Sequence, residues 1–179
     1  MDPWISEHAG RLAAHAERDL EALVAVSSPS GDPVAAEEAV AVASALVPDE
    51  AAIERLPCSS AEHAPDLLVR LAGPGTSRIL LVGHLDTVVS HAAHVPPERS
   101  GRRMRGSGAF DMKAGVALSL GLLRALAARH EVGEAALLLV NDEEWRTAPF
   151  AHAARFERFG ACLCFEAGEL DEHGNEAVV

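Results

Sequence analysis

The sequence predicts an α/β fold with three layers, α/β/α, around a mostly parallel central sheet. Two observations carry this. Segments of helical periodicity alternate with short apolar runs, the pattern of a sheet joined by helical crossovers. Three of those runs, at 79–82, 135–140 and 161–165, are continuous rather than alternating, as in strands buried on both faces.

The elements follow in order. Over 5–24, Ile5, Leu12, Ala16, Leu20, Leu23 and Val24 recur at helical spacing with a polar opposite face. Ser27-Ser28-Pro29-Ser30-Gly31-Asp32 is a turn cluster. Asp32 before Pro33 reads as an N-cap with proline at the first helical position, and this helix runs to about Leu46, ahead of Pro48. A weak strand at 53–56 suits a sheet edge, and strands at 67–71 and 79–82 follow. A loop rich in Gly, Pro and Arg covers 90–108. Residues 112–129 are apolar almost all round, which predicts a buried helix, with Asp111 placed as its N-cap. Strands at 135–140 and 161–165 enclose a short helix near 150–158. The tail at 170–179 shows no closing element, and no internal repeat is present.

Composition narrows the function classes. The 179 residues suit about one domain, and 15 basic against 27 acidic side chains give a net charge of −12. An apolar fraction of 49% excludes a disordered chain. The acidic balance argues against nucleic acid and anionic membrane as partners, since both need a basic face. Tyrosine is absent and aromatics make up 4%, so a base-stacking surface is not expected. Met1-Asp2-Pro3-Trp4 has neither the basic start nor the apolar run of a secretory signal. The longest apolar stretch, 114–128, is broken by Arg124 and is too short to span a bilayer. Cys58, Cys162 and Cys164 read as reduced thiols of a cytoplasmic protein, the latter two buried on one face of a strand.

The chemistry-bearing residues follow the apolar runs. Residues 79–82 lead into His84 and Asp86, 135–140 into Asn141-Asp142-Glu143-Glu144, and 161–165 into Glu166. Ligands of an open parallel sheet bind beyond the carboxyl ends of its strands, so these residues converge. One imidazole with several carboxylates and no thiolate suits Zn, Mn or Co. His84 and Asp86 are two apart and point to one side of an extended segment, so Asp86 can accept the second ring N–H of His84. A surface histidine beside a capping aspartate is the equal alternative. For Asp111 alone, N-capping is the commoner role. Adjacent glutamates diverge, so one of Glu143 and Glu144 can hold a metal while the other acts as general base on water. A solvated acidic turn is the alternative. Gly106 and Gly108 lack the spacing of a phosphate loop. The one lysine, Lys113, lies in the same loop. His91 and His94 read as a surface pair, and Arg102, Arg103 and Arg105 as a solvated cluster.

Gly83-His84-Leu85-Asp86-Thr87-Val88, Gly106-Ser107-Gly108-Ala109-Phe110-Asp111-Met112-Lys113, Asp142-Glu143-Glu144 and Glu166 together resemble, in order and spacing, the dinuclear zinc peptidase and deacylase family. It includes acetylornithine deacetylase, succinyl-diaminopimelate desuccinylase, aminoacylase and glutamate carboxypeptidase. Ser28-Pro29-Ser30-Gly31 is similar to that family's early turn. The resemblance covers nearly the whole chain and implies a zinc-exopeptidase-like fold. By position, it implies that His84, Asp111 and Glu166 bind one metal and that Asp111 bridges to a second held by Glu144. It also implies Glu143 as general base and Asp86 as the carboxylate that orients His84. The implied cofactor is zinc, two ions per site, with cobalt or manganese as substitutes. The implied reaction is hydrolysis of the amide bond of small N-acyl amino acids or peptides by a metal-bound water.

There are departures. Family members are much longer, and their remaining part carries a lid and dimerisation domain, a last metal-binding histidine and the groups that grip substrate. The resemblance thus implies that 1–179 form the N-terminal portion of the catalytic domain, without the lid or the C-terminal catalytic part. It also implies a homodimer only for a longer form. Glu144 then lacks its imidazole partner, because His173 follows Glu166 too closely to serve. Trp145-Arg146-Thr147 stands where the family has small residues. The chain alone is expected to be inactive; the alternative is a non-catalytic metal-binding remnant that works only by association. The expected partner is a small-molecule substrate, with no nucleic acid or membrane.

Overall fold

A computed structural model describes residues 2–101, 103–127, 129, 131–166, 169–170 and 176–177. Helix α1 spans Pro3–Ala25 and α2 spans Pro33–Ala45. Both start with the same device. The Asp2 carboxylate accepts the Trp4 N–H, and Asp32 accepts those of Val34 and Ala35, each with proline at the first helical position.

The strands are β1 Ala52–Leu56, β2 Asp66–Ala72, β3 Ser77–His84, β4 Glu98–Ser100, β5 Arg103–Arg105, β6 Val132–Val140 and β7 Ala161–Cys164. The main sheet has the order β1-β2-β6-β3-β7. β6, β3 and β7 are mutually parallel, whereas β2 is antiparallel to both β1 and β6. Four of its five strands therefore run one way, with β2 reversed. The predicted α/β class and mostly parallel sheet hold. Because β3, β6 and β7 are parallel neighbours, their carboxyl ends share one edge, which gathers the site.

Alternate side chains of these strands feed two cores. On one face, Leu67, Val69, Leu81, Leu137 and Leu139 pack against Leu23 of α1, Val40 and Ala43 of α2, and Val116, Leu120 and Leu123 of helix α3, Ala114–Ala127. Each such leucine contributes about 1.5–3 kcal/mol on burial. On the other face, Leu56, Leu68, Leu80, Leu138 and Val140 meet Phe150, Phe156 and Phe159. That layer is thin: the predicted short helix reduces to one turn, α4 Ala153–Phe156.

Several expectations are corrected. The loop at 90–108 carries a 3₁₀ turn at His91–Ala93 and the β4–β5 hairpin, which its Gly and Pro content disguised. The buried helix begins at Ala114, not beside Asp111, whose backbone is extended at φ −115° and ψ 102°. Asp111 is thus not its N-cap. β7 is exposed along its length, and with it Cys162 and Cys164. It is the last strand on its side of the sheet, and apolar composition reports what a strand can bury, not whether a neighbour is there. In the tail, Glu169–Leu170 pairs antiparallel with Glu176–Ala177. The rest of the tail, His173 included, and Arg102 lie outside the described residues. No described helix is long and apolar enough to cross a membrane.

Candidate metal centre

β3 delivers His84 to the sheet edge, where its ring is buried. Nδ1 lies 3.0 Å from the Asp86 main-chain oxygen and 3.3 Å from Asp86 Oδ1. Two acceptors on that side place the ring proton on Nδ1 and leave Nε2 as the donor atom for a metal. Nε2 faces Asp111 Oδ1 at 3.1 Å, Glu166 Oε2 at 3.6 Å and Glu143 Oε2 at 3.9 Å.

Asp86 does more than face His84. Its buried carboxylate accepts the Ser30 hydroxyl at 2.6 Å and the main-chain N–H groups of Glu143 at 3.2 Å and Glu144 at 3.1 Å. One side chain thereby ties β3, the early turn and the acidic turn together. The early turn is itself docked on the β3 exit: Ser30 N–H donates to Thr87 O, Thr87 N–H to Ser28 O, and Ser28 Oγ to Leu85 O. The sequence marked 27–32 as a turn but assigned Ser30 no task, because its partner is 56 residues away.

Asp111 arrives on a wide turn, Ala109–Lys113, entered at Gly108 with φ +70°. A side chain at Gly108 would be strained by that φ and would meet the Thr87 methyl. Lys113 is buried and donates from Nζ to the Val26 carbonyl at 2.8 Å, so it anchors this turn to the end of α1. β7 brings Glu166 alongside. A Cβ at Gly115 would collide with the Phe165 carbonyl oxygen, so glycine lets α3 approach the exit of β7.

The acidic triplet splits by direction. Asp142 is fully buried and accepts Ser60 N–H at 2.9 Å, Ser60 Oγ at 2.8 Å and Arg146 Nε at 3.3 Å. It holds the turn from behind. Glu143 and Glu144 face forward. Ligand atoms of His84, Asp111 and Glu166 lie within 4.8 Å of one another, as do those of His84, Glu143 and Glu144. The geometry therefore brings together all six residues singled out from the sequence: His84, Asp86, Asp111, Glu143, Glu144 and Glu166. His91 lies elsewhere, with Nδ1 against Ser27 Oγ and Nε2 against Asp32.

Charge at the site is unbalanced. Burial disfavours the charged His84 ring, but the Asp86, Glu143 and Glu166 carboxylates outweigh it and raise its pKa to about 9. Burial and the neighbouring Asp111 carboxylate push Glu144 up to about 7. Asp86 is also penalised by burial, yet its bonds from His84 and Ser30 hold its carboxyl below the usual range. One imidazole among converging carboxylates, with no thiolate, matches the donors preferred by a borderline-hard divalent cation. The excess negative charge is what such an ion offsets, so the residues present fit a metal. Among the described residues, neither ligand group contains a second imidazole.

The sequence profile of peptidase family M20/M25/M40 matches residues 80–178, which include His84, Asp111, Glu143, Glu144 and Glu166. The chain belongs to peptidase family M20/M25/M40. The M20 family consists of peptidases that use divalent metal, and this chain carries their hydrolase-type fold. Human carnosine dipeptidase 1 superposes with a TM-score of 0.69 at 16% identity, over 93% of this chain and 42% of that one. The dipeptidase Dug1p of Saccharomyces cerevisiae gives 0.66 at 16% identity, over 93% and 41%. The M20 metallo-carboxypeptidase Sso-CP2 of Sulfolobus solfataricus gives 0.62 at 17% identity, over 89% and 39%. At such identities the likeness concerns the fold. The chain spans less than half the length of these solved structures. No curated protein sequence matches it.

Proposed function

We propose that this chain supplies the metal-binding half-site of a hydrolase that cleaves the amide bond of small N-acyl amino acids or peptides. The observation that carries the reading is the convergence of His84, Asp111, Glu143, Glu144 and Glu166 from separate strand ends and turns. His84, Asp111 and Glu166 are assigned to one ion, and Asp111 with Glu144 to a second, with zinc as the metal and cobalt or manganese as substitutes. Bound ions would supply Lewis acidity, polarising the scissile carbonyl and lowering the pKa of water.

The protein's own groups do the rest. Glu143 lies 3.9 Å from His84 Nε2, farther than Asp111 at 3.1 Å, and is half-exposed. It is assigned the proton of the attacking water, which it passes to the leaving amine. Asp86 holds the His84 tautomer and the turn that presents Glu143. The 179 residues are assigned to the N-terminal portion of the catalytic domain, which agrees with their span of less than half of the solved structures. Among the described residues, both ligand groups share the one imidazole of His84 and neither holds a second, which favours one tightly held ion over two and slow turnover by this chain alone.

Equilibrium dialysis against zinc with elemental analysis tests the reading. About one tight ion per chain, lost in His84→Ala, is expected, since three protein ligands plus water complete a zinc site. A panel of N-acetyl, N-succinyl and glutamyl amides and dipeptides then tests turnover. Zinc binding that survives His84→Ala and Asp111→Ala would overturn the assignment. A chain that binds the ion but turns over no substrate even when joined to a lid-bearing partner segment would favour a metal-binding module that works by association.

A further inference from the structure

Behind the acidic turn lies a second buried pair. Asp66, at the start of β2, is fully buried; His152, just before α4, is 3% exposed. Asp66 Oδ2 meets His152 Nε2 at 2.8 Å, and Asp66 Oδ1 accepts the main-chain N–H of Asn141 at 2.9 Å. The Asn141 side chain donates to the Pro65 carbonyl at 2.8 Å, and Phe150 stands edge-on to the His152 ring at 5.4 Å.

This arrangement is costly as packing. A buried carboxylate and imidazole lose hydration that an apolar pair of the same volume would not lose. Burial accordingly pushes the Asp66 carboxyl above its ordinary range despite the bonds from His152 and Asn141. The ladder between β2 and β6 does not need it, since Leu67 to Ala72 already pair with Leu139 to Glu134. What the pair governs is the first residue beyond β6. Asn141 leaves the sheet there, and its N–H has lost a ladder partner. Asp66 takes that N–H and, through His152, fastens it to the segment that returns after Trp145. From the opposite side Asp86 accepts the N–H groups of Glu143 and Glu144. The acidic turn is gripped between two buried carboxylates.

We propose that Asp66 and His152 are positioning residues for Glu143 and Glu144: a buried carboxylate–imidazole strut that fixes the direction in which the acidic turn leaves β6. The proposal rests on the roles given to Glu143 and Glu144 above. The strut touches neither, so it acts through Asn141. A floppy turn would leave the His84, Asp111 and Glu166 group intact and degrade whatever Glu143 and Glu144 do.

The chain offers its own reporter. It has two tryptophans, Trp4 and Trp145, so Trp4→Phe leaves Trp145, next to Glu144, as the single fluorophore. In that background His152→Phe removes the donor at similar volume, and His152→Gln keeps an N–H donor. His152→Phe is expected to retain far-UV circular dichroism and to bind the first zinc ion with near wild-type affinity. Acrylamide quenching of Trp145 should rise, and affinity for a second ion should fall about tenfold, the scale of lost support behind a ligand. His152→Gln should restore both. Unchanged quenching and second-ion affinity in His152→Phe overturn the proposal, as does an equal loss of both ions. If His152→Phe fails to fold, Asp66→Asn, which keeps an acceptor for Asn141, takes its place with the same expected split. If Glu144→Gln leaves the second ion unaffected, the role of Glu144 falls, while Trp145 quenching still decides the strut.

Discussion

Asp86→Ala is the most informative single change, because one carboxylate serves four donors. It removes the acceptor for Ser30 Oγ at 2.6 Å, Glu143 N–H at 3.2 Å, Glu144 N–H at 3.1 Å and His84 Nδ1 at 3.3 Å. The losses are unequal. His84 keeps the main-chain oxygen of residue 86 at 3.0 Å, and the two turn N–H groups are only part-buried, so water reaches them. The Ser30 hydroxyl is buried and left with no acceptor, at about 1–3 kcal/mol. Adding the charge-assisted bonds to the turn, a total destabilisation of about 2–4 kcal/mol is expected by denaturant unfolding. Zinc affinity should fall about 10–100-fold, because the His84 ring loses part of its orientation and basicity. Asp86→Asn retains one acceptor oxygen and should sit between wild type and alanine in both measurements. Equilibrium dialysis of the three proteins with zinc provides the assay. Zinc affinity within twofold of wild type in a folded Asp86→Ala would refute the orienting role and leave Asp86 a purely structural tie.

Further outcomes concern the turn, the thiols and the core. In a catalytically active form, Glu143→Gln should leave metal content unchanged and lower kcat by roughly 10²–10⁴-fold, whereas Glu144→Gln should lower second-ion occupancy, with activity partly recovered at high metal. Metal content and kcat measured on the same preparations separate the two; metal loss in Glu143→Gln equal to that in Glu144→Gln would refute the division. Ellman's reagent should find Cys162 and Cys164 accessible in the native chain and Cys58 slow, since burial and then the neighbouring Asp66 carboxylate push the Cys58 thiol up to about 12. Because that folded value exceeds the unfolded one, the contribution of Cys58 to stability is present below pH 9 and lost as pH rises toward 12; Cys58→Ser should flatten this alkaline fall in a pH series of melts. Leu137→Ala, at a fully buried site in the central strand β6, should cost about 2–5 kcal/mol in urea unfolding, and a smaller loss would mean the core collapses around the gap.

By itself, the sequence determined which segments form elements and which residues carry chemistry. The Asp32-Pro33 start, the apolar runs of β3 and β6 and the helical spacing of α1 are local signals, set by capping, periodicity and chain stiffness within a few residues. The residues beyond those runs are legible for the same reason, since parallel strands must deliver their carboxyl ends to one edge. Tertiary structure decided what no local signal encodes. It turned Asp111 away from an N-cap toward His84, made Asp142 a buried brace while its neighbours face the site, and gave Ser30 and Asp66 partners 56 and 75 residues away. It also left Cys162 and Cys164 exposed, because burial depends on a neighbouring strand rather than on the residue. An isolated side chain carries its donors, acceptors and apolar area wherever it stands; which of them are satisfied depends on contacts made only when distant segments pack.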